Sequence, residues 1–188
     1  MNDSYDSDDE SSDEWLKAFV VNVDPCTFSP IKCEAPKLIT RLFIGDVWCS
    51  RDRDEIQRLD IKSVVSLGCD EIILDKMRTI YLPVEYDTFD GIKYHRITIP
   101  DDRDANLYQH FIPVCDFIDK AEGNVLVHCQ GGVSRSVSVV IAYLMHSEGL
   151  SYNQSLDIVK KCRPCACPNI GFQQQLRKFE EFLKAGIK

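Results

Sequence analysis

From about Lys37 onward, apolar positions switch repeatedly between the two-residue period of a strand and the 3.6-residue period of a helix. Leu38 to Ile44 reads as a strand closed by Gly45-Asp46. Asp52 to Leu59 has helical spacing, and Ile61 to Leu67 is an apolar, β-branched strand. Within 69–91, Ile72, Ile73, Leu74 and Met77 suggest at least one helical turn, and Ile80 to Val84 a strand. Tyr94 to Ile99 is a further strand, stopped by Pro100. Asn106 to Ala121 sets Leu107, His110, Phe111, Val114, Phe117 and Ile118 on one face of an amphipathic helix.

In the second half, Asn124 to His128 is a short, fully buried strand, and a helix runs from Ser134 to about Ser147 with Gly149 as its stop signal. Val137 to Met145 within it is the longest apolar run, yet it falls well short of the roughly 20 residues a membrane span needs. It reads as a buried helix. Ser151-x-x-Gln154 is a capping box opening another helix, which ends before Pro164. A last helix starts near Asn169 and presents Phe172, Leu176, Phe179 and Leu183. Strands alternating with helices, without internal repeats, predict an α/β fold with one sheet flanked by helices.

The 188 residues suit one domain plus a tail. Residues 1–14 (MNDSYDSDDESSDE) hold Asp3, Asp6, Asp8, Asp9, Glu10, Asp13 and Glu14 and no Lys or Arg, so the net charge of -8 describes a tail and leaves the rest near neutral. That balance argues against a nucleic-acid binder working by phosphate neutralisation. A segment so poor in apolar groups is expected to be disordered, either as a solubilising tail or, through Ser7, Ser11 and Ser12 among the acids, as a regulatory one. Residues 15–36 form an extension in which Trp15, Leu16, Phe19, Val20 and Val21 suit a short helix or strand docked on the domain, with Pro25, Pro30 and Pro36 precluding a long element. The folded domain is expected over 37–188. Nine cysteines, with neither a basic n-region nor an apolar h-region at the start, point to a reducing compartment: the cytoplasm, or cytoplasm and nucleus together. Asn2 excludes N-myristoylation.

Chemistry concentrates in Gly123 to Met145. A buried strand delivers Cys129 to the end of the sheet. A glycine-bearing loop (Gln130, Gly131, Gly132, Val133, Ser134) then turns into the N-terminus of a helix holding Arg135. Glycines let successive loop N–H groups point inward as an anion nest, and the positive end of the helix dipole faces the same point. That field favours the thiolate of Cys129, and Arg135 offers a planar fork for two phosphate oxygens. The combination suits nucleophilic attack on a phosphate ester. A bare Cys-x5-Arg is weak with nine cysteines and ten arginines, but only Cys129 has Arg six residues on. The preceding strand, paired glycines, Ser136 and the apolar helix beyond make the pattern strong.

HCQGGVSRS (His128 to Ser136) resembles the His-Cys-x-x-Gly-x-x-Arg-Ser/Thr signature of the cysteine-based protein tyrosine phosphatase superfamily. VSVVIAYLM after it, LFIGD (Leu42 to Asp46), IPD (Ile99 to Asp101) and PNIGFQQQL (Pro168 to Leu176) resemble the dual-specificity branch, over roughly 37–185. The resemblance implies that branch's fold, a single central mixed sheet flanked by helices. It makes Cys129 the nucleophile of a phosphocysteine intermediate, held by Arg135 and the amides of 130–135. It makes the Ser136 hydroxyl the stabiliser of the departing thiolate and His128 a support for the loop. The family's general acid lies five residues before the Asn that opens the next helix, which from Asn106 gives Asp101. Asp102 stays open as the alternative, and Asp104 reads as a helix-start residue.

No metal and no cofactor is called for. Cys162, Cys165 and Cys167 (CRPCAC) lack the fourth ligand of a zinc site and read as incidental, although one of them, or Cys69, stands as a candidate to protect Cys129 by disulfide formation. His95, His110 and His146 receive no chemistry. The resemblance also bears on substrate. Phosphoinositide-directed members of the family often carry lysines where this chain has neutral Gln130 and Val133, which favours phosphoprotein. Its likeness to the short dual-specificity domain implies a shallow cleft open to phosphoserine and phosphothreonine as well as phosphotyrosine. Residues 69–91 look longer than the family's usual connection. The alternatives are a phosphoprotein-binding adaptor without turnover and a phosphatase of a lipid, glucan or RNA phosphate. Phosphorylated proteins are the expected partners, with no membrane span; oligomeric state is not legible.

Overall fold

A computed structural model describes residues 29–30, 41–68, 72–75, 78–80 and 88–186. In chain order the elements are β1 (Ser29–Pro30), β2 (Leu42–Gly45), α1 (Arg53–Arg58), β3 (Ile61–Gly68), β4 (Ile72–Asp75), β5 (Arg78–Ile80), β6 (Lys93–Thr98), α2 (Phe111–Asp119), β7 (Asn124–His128), α3 (Arg135–Glu148), α4 (Tyr152–Cys162) and α5 (Ile170–Lys184), with short 3-10 turns at Cys49–Arg51 and Tyr108–His110. The main sheet runs β1-β2-β7-β3-β6; β1 is antiparallel to β2 and the remaining pairs are parallel. The expected mixed sheet flanked by helices is present.

Strand alternation sends the two faces of this sheet to two cores. Leu42, Ile44, Val65, Leu67, Val125 and Val127 face the larger core with α2, α3, α4 and α5, while Phe43, Val64 and Leu126 meet Ile56 and Ile61 in a smaller one. Every residue of α3 from Arg135 to Met145 is buried. It packs on β2, β3 and β7 and is surrounded by α2, α4 and α5. A helix enclosed in this way tolerates little axial shift, which fixes the position of its first residue. Gly149, at φ +66°, ends α3, and the Ser151–Gln154 capping box starts α4, both as expected.

Four expectations need correction. The helical turn expected around Ile72 to Met77 is instead the hairpin β4–β5, paired Ile72 with Ile80 and Ile73 with Thr79. A short apolar run cannot be assigned by period, and β-branched Ile72 and Ile73 suit a strand. The strand expected over 80–84 includes Ile80 of β5, its remainder lying outside the described residues. The helix expected from Asn106 starts at Phe111, after a 3-10 turn. Pro113 has no N–H, so a helix running through it loses a hydrogen bond unless Pro113 sits in the first turn, and starting at Phe111 puts it there. Asp104 therefore stands in a turn, its N–H donating to Asp102 Oδ1 at 2.8 Å, and opens no helix. The first expected strand begins at Leu42, with Arg41 in a 3-10 turn and 31–40 outside the described residues. The acidic stretch 1–14 and the apolar positions Trp15 to Val21 also lie outside them, and Ser29–Pro30 of the extension supplies the sheet's edge strand.

Candidate active site

β7 lies between β2 and β3, with His128 in register with Gly45 on one side and Ser66 on the other. The parallel strands end at the same level, so Cys129 emerges at the carboxyl edge of the sheet, where α/β folds place ligands. The next five residues curl back into α3. Their carbonyls are held from outside the curl. Val47 N–H donates to Gln130 O at 3.1 Å, and Cys167 N–H to Val133 O at 2.8 Å. Arg163 donates from Nε to Gly132 O at 2.6 Å and from Nη2 to Gly131 O at 3.3 Å. Carbonyls fixed outward direct the intervening amides into the concave side, the nest expected for an anion. Gly132 sits at φ +62°, and a Cβ there would stand 2.5 Å from the Arg163 guanidinium and 2.6 Å from Gly45 O, so only glycine fits.

Cys129 is almost wholly buried, its Sγ 3.2 Å from Ser136 Oγ in the first turn of α3. Arg135 is buried too and donates from Nη1 to the Ile99 carbonyl at 3.0 Å. Its Nε, equally buried, makes no hydrogen bond to any described residue. A buried guanidinium is costly unless anions face it, and Asp101 stands within ion-pair distance of this Nε. His128 lies under the loop with Nδ1 3.4 Å from the Cys129 carbonyl. Burial pushes its imidazole down to about 4, so at neutral pH it is an uncharged support.

Of the three acidic candidates, Asp101 is the one turned to the loop. Its Oδ1 accepts from Ser134 Oγ at 2.7 Å and Asn169 Nδ2 at 2.8 Å, and its Oδ2 lies 3.7 Å from Arg135 Nε. Asp102 caps its own turn. The loop carrying Asp101 is docked on α5. Gln175 accepts from Tyr108 N–H at 2.7 Å and donates to Ala105 O at 2.8 Å, and a Cβ at Gly171 would overlap the Arg103 carbonyl.

Cys129, Gln130, Gly131, Gly132, Val133, Ser134, Arg135, Ser136, His128 and Asp101 thus come together in one place, with Ser134 spending its hydroxyl on Asp101. Sequence reasoning did not single out Arg163, Asn169, Gly171 or Gln175 for the site. Only the PNIGFQQQL segment signalled any of them; Arg163 has no local signature. Cys162 ends α4, and Cys165 and Cys167 follow it. Burial pushes the Cys49 thiol up to about 12, so this cysteine is inert packing.

Residues 42–182 match the family "dual specificity phosphatase, catalytic domain". Among curated proteins, dual specificity protein phosphatase Mpk3 of Drosophila melanogaster is 38% identical over 146 residues, covering 76% of this chain but 33% of the fly protein. Dual specificity protein phosphatase 22 of Xenopus laevis is 37% identical over 147 residues, covering 76% of this chain and 63% of the frog protein. The chain thus spans less than two thirds of both. The crystal structure of human DUSP28 superposes with a TM-score of 0.66 at 29% identity, covering 83% of this chain and 99% of that one. The human tyrosine phosphatase-like serine/threonine/tyrosine-interacting protein does so at 0.69 and 25% identity, covering 79% and 96%.

Proposed function

Because the chain belongs to the dual specificity phosphatase family, we propose that it hydrolyses phosphotyrosine and phosphoserine/phosphothreonine in proteins through a phosphocysteine intermediate, without metal or cofactor. One observation carries the reading: Cys129 opens a loop that ends at a buried Arg135, with the Asp101 carboxylate facing the same guanidinium. The Cys129 thiolate attacks phosphorus and forms the S–P bond as the P–O bond to the substrate breaks. Asp101 gives its proton to the departing oxygen. Water then attacks the phosphocysteine, losing its proton to Asp101, while Ser136 Oγ–H donates to the thiolate as it leaves. Arg135 and the loop amides hold the equatorial oxygens throughout. The three unreacting oxygens carry the charge in such transfers, so positioning and electrostatics supply most of the acceleration.

A place in cytoplasmic signalling, with phosphorylated proteins as partners, accords with the described cysteines being thiols and not disulfides. The test is hydrolysis of an aryl phosphate and of phosphotyrosyl and phosphoseryl peptides, with chelator and reductant, by wild type and Cys129→Ser. Turnover that survives chelation and disappears in Cys129→Ser supports the reading. Peptide binding without turnover by wild type would replace it with an adaptor; turnover of phospholipid, glucan or RNA phosphate alone would move it to a non-protein ester.

A further inference from the structure

Both hydrogen bonds that reach the Asp101 carboxyl from described residues end on the same oxygen. Ser134 Oγ donates to Oδ1 at 2.7 Å and Asn169 Nδ2 donates to it at 2.8 Å. Oδ2 receives neither and lies 3.7 Å from Arg135 Nε. The Asp101 side chain is 34% exposed and sits on a loop, so packing alone does not fix where its carboxyl points. The two donors do.

The direction of each bond follows from the chemistry of its partners. Phe172 N–H can only donate, and it does so to Asn169 Oδ1 at 2.9 Å, capping α5. The other end of that amide, Nδ2, is thereby left to donate to Asp101. Ser134 Oγ accepts the backbone N–H of Asn169 at 3.1 Å, which leaves its own proton for Asp101. Asn169 thus acts twice, once directly and once through Ser134. A carboxylate oxygen has about two lone-pair sites, and the two donors fill those of Oδ1. A proton carried by Asp101 therefore rides on Oδ2, the oxygen turned to the guanidinium that holds the phosphate in the proposed reaction.

We propose that Ser134 and Asn169 are positioning residues: by saturating Oδ1 they keep Asp101 from turning into water and present its proton to the leaving group on Oδ2. The inference rests on the phosphatase reading and specifies how its general acid is aimed. The acid has to meet the departing oxygen at hydrogen-bond distance, and a displacement near 1 Å can cost about 10²-fold. Ser134 immediately precedes Arg135, so its bond aligns the acid with the segment that holds the phosphate. In the second step the same oxygen, Oδ2, takes the proton of the attacking water.

The test uses Ser134→Ala and Asn169→Ser, each made in wild type and in Asp101→Asn. Serine still caps a helix but lacks the second arm that reaches Asp101. The value of kcat/KM is measured for a phosphotyrosyl peptide and for a nitro-activated aryl phosphate, whose phenolate leaves without a proton. Each substitution is expected to lower the peptide value by about tenfold or more and the activated value by less than about threefold, with vanadate affinity retained. In Asp101→Asn neither should lower the peptide value by more than about twofold, because residues that act through one group do not add. Equal losses on both substrates, or full losses persisting in Asp101→Asn, would overturn the proposal. Ser134→Ala also strands the Asn169 N–H, so if its melting temperature collapses, Asn169→Ser decides alone. Turnover of neither substrate by well-folded wild type would sink the phosphatase reading and the inference with it, whereas turnover without the selective loss sinks only the inference.

Discussion

Arg163 donates its Nε–H to the carbonyl of Gly132 at 2.6 Å, reaching across 31 residues of sequence to pin the middle of the anion loop. The contact works in both directions. The glycine's left-handed φ and missing Cβ make room for the guanidinium, and the guanidinium holds carbonyls that would otherwise be free to turn inward and repel a phosphate.

Arg163→Ala is therefore expected to leave the Gly131 and Gly132 carbonyls unsatisfied. It should destabilise the protein by about 2–6 kcal/mol, given roughly 1–3 kcal/mol for each such loss. KM for an aryl phosphate should rise more than kcat falls, because the nest is loosened before the nucleophile is touched. Arg163→Lys keeps the charge without the planar fork and should restore melting temperature better than KM. Thermal unfolding and steady-state kinetics on the same three proteins decide it.

Asp101→Asn should lower kcat by roughly 10²- to 10⁴-fold on a phosphoseryl peptide, whose alkoxide leaves poorly without a proton. The loss on an activated aryl phosphate should be much smaller. Asp102→Asn, whose side chain only caps its own turn, should change either rate by less than about threefold. Equal losses for the two substitutions would refute the assignment of Asp101.

Gly171→Ala is expected to mimic Asp101→Asn. The added methyl would overlap the Arg103 carbonyl and push the acid's loop off α5 while Cys129 and Arg135 stay in place. A misplacement near 1 Å can cost about 10²-fold. Vanadate affinity should be nearly retained in both variants, and its collapse in Gly171→Ala would show that the helix itself had moved.

Ser136→Ala removes the hydroxyl 3.2 Å from Cys129 Sγ, the donor for the departing thiolate. Hydrolysis of the phosphocysteine should slow by about 10-fold or more, the loss of one hydrogen bond to a charged group. Stopped-flow hydrolysis of an aryl phosphate should then show a burst near one equivalent before a slow steady state. Slow turnover without a burst would place the effect on the first step.

His128 ties stability to pH. Its imidazole sits at about 4 in the folded protein because of burial, against an ordinary value of 6.5. Between those values the unfolded chain binds the extra proton. The contribution of neutral His128 is thus complete above the ordinary value and is lost as pH falls towards the folded one, about 3 kcal/mol in all. Urea midpoints should fall more steeply for wild type than for His128→Gln between about pH 7.5 and pH 4.5, and parallel curves would contradict it.

Local rules settled much of this protein. Gly149 and the Ser151–Gln154 box mark the end of one helix and the start of the next, because caps act within a turn of the residues that form them. Cys129, the glycines, Arg135 and Ser136 are contiguous, so a single segment spells out the nucleophile, the nest and the clamp. Where competing local terms were close, the outcome was set by context. The apolar run at Ile72 pairs as a hairpin, and the helix after Asn106 waits until Pro113 can sit in its first turn. What only the tertiary structure decided is the set of groups that reach the loop from elsewhere. Arg163 and Asn169 arrive from beyond α4, Val47 from the end of β2, and Asp101 turns in while Asp102 turns away. These contacts are hydrogen bonds made by side chains and loop backbone, with no periodicity to betray them. They form only because the parallel register of β2, β7, β3 and β6 and the burial of α3 bring distant chain ends to one edge of the sheet.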